Sequence, residues 1–186
     1  MLDIFDRITG GLARILLVLG CIMLLAMALH VTIDVTMRYF FNRPFEATLE
    51  LGTYYYMVAA SFLALGYAQL HDKHISVDFL LYSLSPRRRM FVELLALILT
   101  ALMVGLIAYM ATISAIEKTH SGEYQMLQHF DMPVWPSRWI LAISQYVFLL
   151  VLLTQIARSI TAAIRGEIYE LPKENIADQI EAGEAA

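Results

Sequence analysis

Five histidines, a single cysteine and one charged, aromatic stretch are the parts of this 186-residue chain whose side chains have reactive or ligating chemistry. The densest group is His71-Asp72-Lys73-His74. Its two imidazoles are three residues apart, a spacing that shares one helical face and suits a metal, but no HExxH-like framework or cysteine partner accompanies it. The group therefore reads as a solvated turn. Paired histidines can also ligate haem between helices, provided that both reach the iron from one depth. Cys21 excludes an intrachain disulfide. It follows Val18-Leu19-Gly20 after a basic N-terminus, as a lipid-modified cysteine follows a signal peptide. Leu19 fits that pattern poorly, however, and the apolar run continues through Leu29, beyond the roughly 7–15 residues of a signal core. There remains the stretch from Asp34 to Glu50, which carries charge, aromatic rings and a proline but no nucleophile paired with a base.

The segments that position these residues are those of a membrane protein. Hydrophobic residues make up 59% of the chain and charged ones 16%, against about 25% in soluble domains. Mean hydropathy is +0.63. Four runs reach the roughly 20 apolar residues that a helix needs to cross a bilayer, at about 12–33, 50–70, 90–113 and 137–157. The predicted fold is an all-α membrane domain over residues 1–165 with four transmembrane helices, followed by an acidic, disordered tail over 166–186. Basic residues are scattered, with no basic stripe to bind nucleic acid.

In chain order, residues 1–14 read as an amphipathic lead-in on the membrane surface. The first span has no reason to stop before Asn42-Arg43-Pro44, since proline turns its predecessor away from the α conformation. Asp34 and Arg38 are four apart and share a helical face where the chain leaves the lipid; Arg38 is expected either to pair with Asp34 or Glu50 or to snorkel to water. In the second span Ala60, Ala64 and Ala68 form a small-residue stripe, either a helix contact face or simply the alanine usual in membranes. Residues 71–89 suggest a short amphipathic helix in the interface before Pro86, with His74 and Asp78 on its polar face. Arg89 and Glu93 pair across one turn as the third run begins. Trp135 and Trp139 anchor the fourth, and its helix frays after Arg158.

Basic residues orient the four-span arrangement. Arg7, Arg14, Lys73, Arg87, Arg88, Arg89, Arg158, Arg165 and Lys173 fall on one side, and Arg38, Arg43, Lys118 and Arg138 on the other. Nine against four places both termini in the cytoplasm. The 34–50 stretch and the 120–136 loop then face outward together. In this arrangement His30 lies toward the outer leaflet, His71 and His74 at the inner surface, and His120 and His129 in the outer loop, so no two share a depth for haem. No span centre holds a proline or a formal charge of the kind that marks a solute path. The reading is scaffold: no catalytic, metal or cofactor site.

Three motifs now stand in order: Asp34-Val35-x-x-Arg38-Tyr39-x-Phe41-Asn42-x-Pro44 with Glu50, then His74-Ile75-Ser76-Val77-Asp78 with Leu84-Ser85-Pro86, then Met132-Pro133-Val134-Trp135. Together they resemble the small, DctQ-like membrane subunit of the tripartite ATP-independent periplasmic (TRAP) transporters. One departure is that many members carry a tryptophan and two acidic residues before the second span, where this chain has Ala47 and Leu49-Glu50. The resemblance implies a three-part, sodium-coupled system for organic acids in the bacterial inner membrane. A periplasmic solute-binding protein captures the solute, and a large elevator-type permease moves it. The small subunit braces that permease and offers outer surface for docking. It implies no cofactor and no substrate site in this chain, and makes Asp34, Arg38, Tyr39, Asn42, Pro44, Glu50, His74, Asp78, Pro133 and Trp135 the candidates for structure and subunit contact.

Overall fold

The computed structural model describes residues 2–44, 47–71, 86–127 and 131–165. Helix α1 is Leu2–Phe41; next come α2 (Thr48–Leu51), a π-helical turn (Gly52–Tyr56), α3 (Met57–Phe62) and α4 (Leu65–Leu70). Helix α5 is Pro86–Ser121, an antiparallel hairpin pairs β1 (Tyr124–Met126) with β2 (Asp131–Pro133), and α6 is Trp135–Arg165. Three of these helices, α1, α5 and α6, are long and apolar enough to cross a membrane. The expected interfacial helix, with His74 and Asp78, and the acidic tail lie outside the described residues.

At 1.5 Å per residue, the 40 residues of α1 extend about 60 Å, twice the roughly 30 Å of hydrocarbon. Even a tilt of about 40°, the upper end of the usual range, would leave its ends outside the lipid. The lead-in expected on the membrane surface is thus the first three turns of α1 itself. Helix α6 likewise runs on to Arg165 rather than fraying after Arg158.

Helix α6 is the central element. Half of its most apolar window is buried inside the protein, compared with 17% for α5 and 11% for α1. On one side α5 packs against it through Leu97, Ala101 and Val104 against Phe148 and Leu152. On another, Ala13 of α1 meets Val147 and Val151. The second apolar run fills the angle between α1 and α6, and close approach there depends on small residues. A Cβ on Gly20 would sit 3.5 Å from the Leu63 Cβ, and one on Gly66 would sit 3.5 Å from Val147 and 3.7 Å from the Phe148 backbone.

This second run differs from a plain span. Its hydrogen bonding shifts to the π pattern over Gly52–Tyr56, and the α-helix is interrupted again at Leu63 and Ala64. The backbone nevertheless stays right-handed helical at both joints, with φ/ψ of −66°/−28° at Leu63 and −80°/−15° at Ala64. The shifted winding changes which side chains face inward. Ala59, Leu63, Gly66 and Gln69 are buried, whereas the expected stripe of Ala60, Ala64 and Ala68 is only half-buried.

Candidate functional site

The candidate residues gather at the end of the bundle where α1 stops. Helix α1 ends at Phe41, and Asn42 turns left-handed (φ 52°), a conformation that asparagine tolerates just past a helix. The Arg43 N–H points back to the Met37 carbonyl at 3.4 Å, and exposed Pro44 follows. The stop falls where the Asn-Arg-Pro signal puts it.

One turn earlier, Arg38 Nε lies 3.1 and 3.0 Å from the two Asp34 carboxylate oxygens, and Nη2 lies 3.0 Å from Oδ2. Asp34, not Glu50, therefore holds Arg38. The burial is lopsided: the Asp34 side chain is 7% exposed and that of Arg38 55%. The arginine spans the boundary, balancing a buried carboxylate while reaching outward. Tyr39, Phe40 and Phe41 beside it are strongly exposed, and Glu50 is half-buried at the start of the second run.

His30 ties α1 to that second run. Its Nδ1 lies 3.3 Å from the Tyr56 hydroxyl and its Nε2 lies 3.4 Å from Thr48 Oγ1. A neutral imidazole donates through one nitrogen and accepts through the other, so both ring positions are engaged without iron. Ala47 begins the run in the left-handed region (φ 65°), buried against Met132 and Val134 of the hairpin. The Tyr55 hydroxyl donates to the Pro133 carbonyl at 2.6 Å. The 34–50 stretch and the 120–136 loop thus meet on one side of the molecule.

Glu123 organises that loop, a role the sequence reading did not give it. Its carbonyl accepts the N–H groups of Val134 (2.8 Å) and Trp135 (3.3 Å), fixing the entry to α6. Its carboxylate meets Arg138 at 3.3 Å and Lys118 at 3.8 Å. Trp139 Nε1 donates to Thr119 Oγ1 at 2.9 Å, clamping α5 to α6.

Away from this end, Gln69 Nε2 donates to Gln155 Oε1 at 2.8 Å, and Gln155 Nε2 donates to the Gln69 carbonyl at 3.1 Å. Arg158 pairs with Asp6 at the opposite end of the bundle. Of the His71 group, the described His71 donates from Nδ1 to the Tyr67 carbonyl at 3.1 Å and stacks on the Tyr67 ring. Arg89 and Glu93 are paired at 2.9 Å. Among the described residues no cluster of three histidine, cysteine, aspartate or glutamate side chains is placed to hold a metal ion. What the arrangement does is join segments.

Comparison with family profiles decides what kind of joint this is. Residues 27–162, from the middle of α1 nearly to the end of α6, match the family described as tripartite ATP-independent periplasmic transporters, DctQ component. The chain belongs to the DctQ family. Comparison with curated proteins returned no match. A DctQ protein is a component of a transporter and not an enzyme, and this one is the small membrane subunit of a TRAP system. The match takes in every element of the Asn42 end, so the contacts among Asp34, Arg38, His30, Tyr55 and Glu123 lie within the family region.

Proposed function

We propose that this DctQ subunit serves a sodium-coupled TRAP transporter for organic acids, bracing the large elevator-type permease and presenting its Asn42 end to the periplasmic solute-binding protein. The observation that carries the bracing role is the division of surface. Helix α6 is buried in the centre, whereas α1 and α5 leave long apolar faces outward, including Leu25 and Leu29 on α1 and Leu102 and Leu106 on α5. A scaffold widens a partner's footprint with such faces. Residues 51–70 contain no charged side chain beside the helix interruption, and Gly66 and Gln69 there are packed against α6. We therefore assign the solute and sodium sites to the large subunit.

The chain crosses the inner membrane four times with both termini in the cytoplasm. The second run supports this through its length: residues 48–70 rise about 34 Å as a right-handed helical rod, enough for the hydrocarbon layer. The basic-residue asymmetry supports the orientation. In this placement the hairpin, Tyr39 and Pro44 face the periplasm.

Reconstitution tests the assignment. The chain alone in liposomes gives no sodium-driven uptake, and uptake appears only when the large permease and the solute-binding protein are added. Arg38→Ala weakens co-purification with the large permease. Transport by this chain alone, or co-purification and uptake untouched by Arg38→Ala, would overturn the scaffold reading.

A further inference from the structure

A groove of about 380 Å³ runs between α1 and the start of the second run, outside every contact assigned above to subunit or solute. Its inner wall is apolar, with Met27 and Val31 from α1 and Met57 opposite; its mouth holds Asp34, Arg38 and Thr53. We propose that this groove holds one membrane phospholipid, with an acyl chain along Met27, Val31 and Met57 and the phosphodiester on the Arg38 guanidinium.

Three observations converge on that occupant. The first is length and direction. From Met27 to Arg38 is eleven residues, about 16 Å of helix, close to the half-thickness of the hydrocarbon layer. The groove therefore spans one leaflet from its middle to its edge, apolar at the deep end and charged at the edge, the polarity of a lipid. The second is the arginine. It spends Nε and Nη2 on Asp34, Nη1 is engaged by none of the described residues, and the side chain remains 55% exposed. Guanidinium suits phosphate through paired charge-assisted N–H bonds. With Asp34 balancing one charge, Arg38 is held in place and still offers donors outward. The third is width. A helix with its side chains is about 10–12 Å across, too broad to enter the groove, whereas a single hydrocarbon chain fits.

The proposal depends on the membrane placement and not on the scaffold role, so the two can fail separately. The test uses the full chain in nanodiscs containing phosphatidylglycerol with a photoreactive acyl chain, and maps the labelled residues. A matched photoreactive diacylglycerol, with the same chains and no phosphate, serves as control. The phospholipid is expected to label the Met27–Val31 and Met57 peptides about tenfold more than diacylglycerol does. Val31→Trp, which fills the groove without touching the ion pair, removes that labelling and leaves labelling of exposed Leu102 and Leu106 unchanged. The double variant Asp34→Asn/Arg38→Gln, which leaves no uncompensated charge, brings phospholipid labelling down to the diacylglycerol level. Equal labelling by the two probes, or groove labelling no higher than at Leu102, would mean ordinary boundary lipid and overturn the proposal. Loss of groove labelling when the large permease is co-assembled would make a protein surface the occupant, and overturn it equally.

Discussion

The glutamine pair between α4 and α6 gives an asymmetric expectation that geometry alone dictates. Gln155 takes part in two bonds: its Oε1 accepts from Gln69 Nε2 at 2.8 Å and its Nε2 donates to the Gln69 backbone carbonyl at 3.1 Å. Gln69 contributes its side chain to only the first of these. Gln69→Leu therefore deletes one bond, since a backbone carbonyl survives any substitution. Gln155→Leu deletes both and strands the buried Gln69 amide. Interhelical side-chain bonds in membrane proteins average about 0.6 kcal/mol, with a maximum near 1.7. The single loss is expected to cost about 0.6–1.7 kcal/mol and the double loss about 1–3 kcal/mol, with no further loss in the double variant beyond that of Gln155→Leu. Both side chains are at most 9% exposed, so solvent does not repair either loss. Equilibrium unfolding in mixed micelles across the four proteins of the cycle measures this. Equal costs for the two single variants, or strict additivity in the double, would refute the reasoning.

Two further expectations rest on packing and charge. Gly66→Ala is tolerated, since a Cβ there makes ordinary contact with Val147 and Phe148, whereas Gly66→Leu overpacks the α4–α6 seam and costs about 1–3 kcal/mol in the same unfolding assay. At the boundary pair the buried partner is Asp34. Arg38→Ala is thus more destabilising than Asp34→Ala, and Asp34→Asn in the Arg38→Ala background restores part of the loss, because the cost of breaking such a pair lies in the charge left buried. Thermal unfolding of the three variants reads the order directly.

What the sequence made legible was local. The Asp34–Arg38 pair follows from a four-residue spacing, the end of α1 from Asn42-Arg43-Pro44, the Arg89–Glu93 pair from one helical turn, and the start of α6 from Trp135. Each is decided within a few residues. What stayed hidden depends on segments far apart or on hydrogen-bond winding. Gln69 and Gln155 are 86 residues apart, and nothing in either neighbourhood marks the other. Hydropathy registers how apolar the second run is but not whether its backbone bonds to the fourth or the fifth residue. The inward face was therefore assigned to Ala60, Ala64 and Ala68 when it belongs to Ala59, Leu63, Gly66 and Gln69. Glu123 was overlooked because its work is done largely by its backbone carbonyl, which has no residue signature. The short hairpin within an otherwise helical chain was missed for the same reason: strands of three residues carry too little alternation to register.

The π turn at Gly52–Tyr56 has a consequence for how this subunit can vary. It acts as a phase adjuster between two sets of partners that a uniform helix would not serve together. Thr48, before the turn, must meet His30, and Ala59, Gly66 and Gln69, after it, must meet α1 and α6. Removing a single residue from the turn would restore α winding and rotate one set against the other by about 100°. Side chains within 52–56 are thus freer to change than the number of residues between Thr48 and Ala59. Here the conserved quantity is a count, and a one-residue deletion does more damage than most substitutions.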